Sequence, residues 1–134
     1  MIKNLNKIFI SVFYMANLVL IIFYLFPGSI FGCLLYDDCL IQPKITNDII
    51  ITSNFFISSN HLYAFILLSV LGFFAYRNTK KIKFLIIYLF LLSIILELLH
   101  IIIPIRTFEY EDLIGNTLGV ILVIIAYKIK DKYV

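Results

Sequence analysis

The chain has 134 residues, 63% of them hydrophobic and only 14% charged, with a formal net charge of +3 and a mean hydropathy of +1.05. Soluble domains carry roughly 25% charged residues, so this composition excludes that class and describes a small integral membrane protein. It is expected to form one domain over residues 1–134. The Lys and Arg residues fall in short separate groups and leave no basic cluster for nucleic acid.

Taken in chain order, the first apolar segment covers about residues 8–26, close to the roughly 20 residues that cross a hydrocarbon core. Lys3 and Lys7 precede it in the manner of a signal peptide. The run is longer than the h-region of such peptides, about 7–15 residues, and no small-x-small cleavage site follows. The stretch Ile30–Cys33 resembles a lipoprotein cleavage box, but Phe31 stands where such a box has a small residue. An uncleaved first helix is therefore expected.

A long loop follows, from Pro27 to about Asn54. Cys33 and Cys39 lie in it and either close a small disulfide ring or remain free thiols. Neither has a recognised metal-ligand spacing. The apolar, β-branched run from Asn47 to Phe56 is expected at the membrane interface or in the first turns of the second helix, because unpaired backbone is not tolerated in hydrocarbon.

The second and fourth apolar runs, Leu62 to Tyr76 and Leu113 to Tyr127, would each cover only about 22 Å as helix. Both must begin earlier. They are placed at about residues 55–76 and 110–128, which draws His61 and Asp112 into the membrane; the third covers about residues 84–103. The expected architecture is an all-α membrane protein, a bundle of four transmembrane helices. Lys3 and Lys7, then Arg77, Lys80, Lys81 and Lys83, then Lys128, Lys130 and Lys132 mark one side. The two other loops hold only Lys44 and Arg106. The positive-inside rule then predicts that both termini are cytoplasmic.

Ionisable residues inside a bilayer are costly and normally face a protein interior. On the third helix Ser93, Glu97, His100 and Pro104 fall at i, i+4, i+7 and i+11, one stripe, with Glu97 in the outer third of the bilayer. Asp112, Asn116 and Gly119 form a second stripe, and His61 reaches the same depth. These residues are predicted to meet beneath the outer surface, with Arg106 above them. Glu97 and His100 are the candidate acid/base couple. His61, Arg106, Asp112 and Asn116 are candidate ligand-binding residues, and Arg106 suits a carboxylate or phosphate, or an ion pair with Asp112 or Glu97. The alternative is a salt-bridged network that only fixes helix register. Gly115 and Gly119 form a small-xxx-small pair on which another helix can pack. Ser93 is expected to bond its own backbone, and Tyr24, Tyr76, Tyr110 and Tyr127 read as interfacial anchors without chemistry.

The stretch from Glu97 to Gly119 resembles the signature of the VanZ-like membrane proteins, in outline E-x-x-Q, then Pro and Arg, then D-x-x-x-N-x-x-G. Glu97, Pro104, Arg106, Asp112, Asn116 and Gly119 occupy the matching places, with His100 where the family usually has Gln. His61 matches the family's earlier D-K-x-x-H element, in which Ile57 and Ser58 replace the Asp and Lys. The resemblance covers about Asn60 to Val123. It implies four helices, a bacterial inner membrane and a role in the envelope; the family is named for a protein linked to low-level teicoplanin resistance.

The leading expectation is an outer-leaflet polar pocket that binds a membrane lipid or a lipid-linked envelope molecule. A small transporter or proton relay is the second reading, and a scaffold subunit contacting a partner helix through Gly115 and Gly119 the third. No nucleophile motif, phosphate-cradling loop, metal signature or cofactor motif is present.

Overall fold

The structure, a computed structural model, describes residues 2–52, 55–77 and 79–133. Its elements are α1 (Ile2–Leu25), α2 (Ile30–Tyr36), β1 (Ile49–Thr52), β2 (Phe55–Ile57), α3 (Ser59–Tyr76), α4 (Ile82–Leu99) and α5 (Tyr110–Tyr133). Four helices contain stretches long and apolar enough to cross a membrane: Asn6–Leu25, Ser59–Tyr76, Ile82–Leu99 and Tyr110–Lys130. The chain is a mostly helical, multi-pass membrane protein. Its burial pattern inverts that of a soluble protein: Leu18, Leu67, Phe84, Leu91 and Ile125 are exposed, whereas Ser59, Ser69, Ser93, Glu97, His100 and Asn116 are buried. In lipid the outward face needs no polar groups, and the polar ones find partners only inside.

Side-chain contacts fix the direction of each helix. Phe9 stacks on Phe74 and Tyr24 meets His61, so α1 and α3 are antiparallel. Gly115 lies against Ser58 and His61, and Gly119 against Leu62 and Phe65, so α3 and α5 run in the same direction. Asn116 reaches Ser93 while the Glu109 amide reaches Glu97, so α4 opposes α5. The bundle is thus up-down-up-down, with the start of α1, the end of α5 and the α3–α4 turn at one end. The loops from Phe26 to Ser58 and from His100 to Glu109 share the other. Phe13, Phe65, Leu68, Phe73, Leu85, Leu89, Leu96 and Val120 form the apolar core between them.

Three boundaries depart from the sequence expectation. First, the run from Asn47 to Phe56 is not the start of a helix but enters an antiparallel hairpin pairing Ile49 with Ile57 and Ile50 with Phe56. Its β-branched residues favour strand; Ser53 and Asn54 lie outside the described residues. The second long helix accordingly starts at Ser59, not near Phe55. Second, α4 stops at Leu99 and not at Ile103. The amides of His100, Ile101 and Ile102 bond three residues back, to Glu97, Leu98 and Leu99, the tightened turn of a helix end. Pro104, which disfavours helix at the residue before it, then carries the chain away. Pro104 is exposed and drops out of the expected stripe. Third, a short fifth helix, α2, lies in the loop that follows α1. Ser29 caps its start by accepting the Gly32 amide at 3.0 Å.

The loop is tied down. Cys33 and Cys39 form a disulfide, the branch of the two sequence readings that the structure takes. Gly28 turns the chain into it with φ +98°, a left-handed conformation suited to glycine. Asn60, in the first turn of α3, donates to the Pro43 carbonyl and accepts the Ile45 amide, both at 2.9 Å. Ser59 donates to the Thr46 carbonyl at 2.9 Å. Lys44 and Asp48 pair beside them.

Candidate functional site

The tight α3–α5 contact sets the site. A Cβ at Gly115 would stand 2.9 Å from the Ser58 carbonyl, and one at Gly119 would stand 2.8 Å from that of Leu62. Only glycine permits this approach. It brings Asp112 and Asn116 of α5 beside His61 of α3. The small-xxx-small face is therefore occupied within the chain, so a helix from another protein would have to meet a different surface.

Glu97, His100 and Asn116 are buried with 0%, 2% and 0% of their surface exposed. Both stripes thus point into the bundle, toward each other. His61 Nε2 lies 3.3 Å from Asp112 Oδ2, and His61 Nδ1 lies 4.0 Å from Glu97 Oε2. His100 Nδ1 is 3.3 Å from Glu97 Oε1, which also accepts the Glu109 amide at 3.1 Å. His61, Glu97 and Asp112 each offer one ligand atom within 4.8 Å of the others. The sequence held no metal-ligand spacing because these three residues come from three different helices.

The hydrogen-bond partners decide where protons sit. Asn116 donates from Nδ2 to the Ser93 carbonyl at 3.4 Å, which turns its oxygen toward Tyr24. The Tyr24 hydroxyl donates its one proton to that oxygen at 2.5 Å and so accepts from His61 Nδ1 at 3.0 Å. In the neutral ring Nε2 is then left with a lone pair facing Asp112. At His100, Nε2 faces the Tyr24 carbonyl at 3.1 Å, an atom that only accepts. The proton between His100 Nδ1 and Glu97 Oε1 is therefore shared by a pair whose other contacts are fixed.

Tyr24 corrects the sequence reading. It is no interfacial anchor but 7% exposed, with Tyr24, His61 and His100 in aromatic contact. A single Tyr near a span end carries no pattern that separates the two roles. Tyr110 is exposed, while Tyr76 pairs with Tyr14 at 3.0 Å and Tyr127 donates to the Arg77 carbonyl at 3.4 Å. Ser93 bonds its own backbone at the Phe90 carbonyl, 2.8 Å away, as expected.

Arg106 also differs from expectation. Among the described residues it forms no ion pair with Asp112 or Glu97. Its Nε donates to the Phe26 carbonyl at 3.2 Å and one terminal nitrogen to that of Phe23 at 3.1 Å. It closes the carbonyl end of α1, where a cation is favoured. Burial lowers its pKa, opposed by the nearby Asp112 and Glu97 carboxylates.

Between α1 and α3 lies a cavity of about 470 Å³. Ala16, Leu20, Phe23, Ala64 and Leu68 wall its apolar length, and Tyr24, His61, His100 and Arg106 line its polar end. Val19, Tyr63 and Leu67 line it where the surface of the bundle is exposed.

Among known proteins, the family model described as VanZ/LLP1 matches residues 9–131, well beyond the Asn60–Val123 stretch that carries the motif. No curated protein matches. No solved structure matches.

Proposed function

The chain belongs to the VanZ/LLP1 family, and on that premise we propose that it binds an amphiphilic envelope molecule, an acyl or polyprenyl chain carrying an anionic head group, in the outer leaflet. The observation that carries this reading is the cavity between α1 and α3, apolar along its length and cationic at its end. Ligand sites are typically concave and apolar with a few convergent polar groups, and a volume near 470 Å³ falls within the usual range. Arg106 presents its remaining donors there, and a guanidinium binds phosphate or carboxylate as a fork. A role in glycopeptide resistance belongs to this reading at the level of the family.

The same reading places both termini in the cytoplasm of a bacterium and the protein in its inner membrane. The basic groups at one end of the bundle and the disulfide at the other support it.

The test is binding of a fluorescent long-chain lipid phosphate to the purified chain in detergent. Arg106→Gln is expected to weaken binding at least tenfold. Ala64→Trp, which fills the apolar length, is expected to abolish it. Equal binding by the parent and both variants would remove the site from consideration.

A further inference from the structure

We propose that His61, Glu97 and Asp112 bind a divalent transition-metal ion of the zinc class at the outer end of the bundle. Three independent observations converge on these side chains. Their candidate ligand atoms lie within 4.8 Å of one another although each residue comes from a different helix. Glu97 Oε2 is buried, lies 4.0 Å from His61 Nδ1 and, among the described residues, has no hydrogen-bond partner. An oxygen so placed is costly unless something positive meets it. Finally, the His61 ring is held as a metal ligand is held. Its Nδ1 proton is donated to the Tyr24 hydroxyl, which is anchored in turn by Asn116 and the Ser93 carbonyl. That leaves the Nε2 lone pair aimed at Asp112 Oδ2, 3.3 Å away. Such outer partners fix the tautomer and orientation of ligating histidines.

The distances suit the chemistry. Zinc bonds nitrogen at about 2.0–2.1 Å and carboxylate oxygen at about 2.0–2.2 Å, so two ligands at a tetrahedral angle stand about 3.4 Å apart. The His61–Asp112 pair already has that separation. Glu97 stands farther off, its ligand atom within 4.8 Å of the other two, and Glu97 Oε1 holds His100 and the Glu109 amide. One imidazole and two carboxylates suit zinc or manganese better than magnesium or calcium, which take oxygen alone. A divalent cation also neutralises two carboxylates that otherwise sit together in a low-dielectric interior.

The inference does not rest on the lipid reading, and its test contains no added lipid phosphate, so either can fail alone. The full chain in detergent, stripped with a chelator, is titrated with Zn²⁺ by calorimetry and then loaded with Co²⁺ for visible spectroscopy, with Mg²⁺ as a control. One Zn²⁺ per chain is expected, with Co²⁺ bands unlike those of the aquo ion and no heat from Mg²⁺. Glu97→Gln and Asp112→Asn, which preserve side-chain shape, are each expected to weaken binding at least tenfold, and Tyr24→Phe about 10-fold or more through His61. Failure of the parent to bind Zn²⁺ in a one-to-one ratio overturns the site, as does undiminished binding by both carboxylate variants. Should those variants fail to fold, the Co²⁺ spectrum of the parent decides: an aquo-like spectrum overturns it.

Discussion

The polar side chains near the end of the bundle away from the termini form one directional network, and Tyr24 is its hinge. Its hydroxyl bonds both Asn116 on α5 and His61 on α3, at 2.5 and 3.0 Å. Tyr24→Phe leaves the buried Asn116 oxygen and the His61 Nδ1 proton without their partner. Each buried group so orphaned costs about 1–3 kcal/mol. The variant is expected to lose at least that much stability in thermal unfolding in detergent, whereas Tyr110→Phe, at an exposed ring, is expected to melt as the parent does. At this scale the sequence was readable where a residue violates its surroundings. Glu97, His100, Asp112 and Asn116 stand out because a membrane span has no use for them unless they face inward. Tyr24 and the role of Arg106 were not readable, since a tyrosine suits a span end and the partners of Arg106 are backbone carbonyls 80 residues and more away in sequence.

Among the elements, α3 and α5 make the closest approach, and it is built from backbone. At Gly119 an added Cβ would meet the Leu62 carbonyl at 2.8 Å and the Phe65 Cβ at 3.0 Å. Neither can turn aside, so the helices must separate, and with them the His61–Asp112 contact. Gly119→Ala is expected to cost about 1–3 kcal/mol, the range for overpacked interiors. Gly72→Ala is the informative comparison, because its Cβ would meet the far ends of Phe13 and Leu85, at 2.9 and 3.1 Å. Side-chain ends can give way, and alanine favours helix by about 1 kcal/mol over glycine. The Gly72 variant is therefore expected to melt closer to the parent, as measured by thermal unfolding. The spacing of Gly115 and Gly119 signals close packing in the sequence itself, while the identity of the packed helix is a matter of tertiary structure. Helix ends were less legible. The termination of α4 at Leu99 depends on three-residue-back bonds that an unbroken apolar run conceals, and the hairpin of β1 and β2 shares its apolar residues with any membrane-spanning segment.

For the whole molecule, the distribution of charge and the distribution of buried polar groups point in opposite directions along the bundle axis. The basic groups gather at the end that holds both termini and the α3–α4 turn. The titratable cluster and the Cys33–Cys39 disulfide lie toward the other. Disulfides persist in oxidising compartments, and the positive ends of short loops stay in the cytoplasm, so two unrelated chemistries support the proposed orientation. A green fluorescent protein fused after Val134 is expected to fluoresce, and alkaline phosphatase fused there to be inactive. After mild reduction, Cys33 and Cys39 are expected to react with a membrane-impermeant maleimide in intact spheroplasts. An active phosphatase fusion at that terminus would reverse the orientation and turn the cluster toward the cytoplasm. Orientation also bears on transport. Between the cluster and the opposite end, the polar groups described inside the bundle are few, notably the Ser69 hydroxyl and the Asn17–Tyr88 pair. A recess open near one face and closed by an apolar core toward the other fits capture of a ligand from the outer leaflet better than passage of protons across the bilayer.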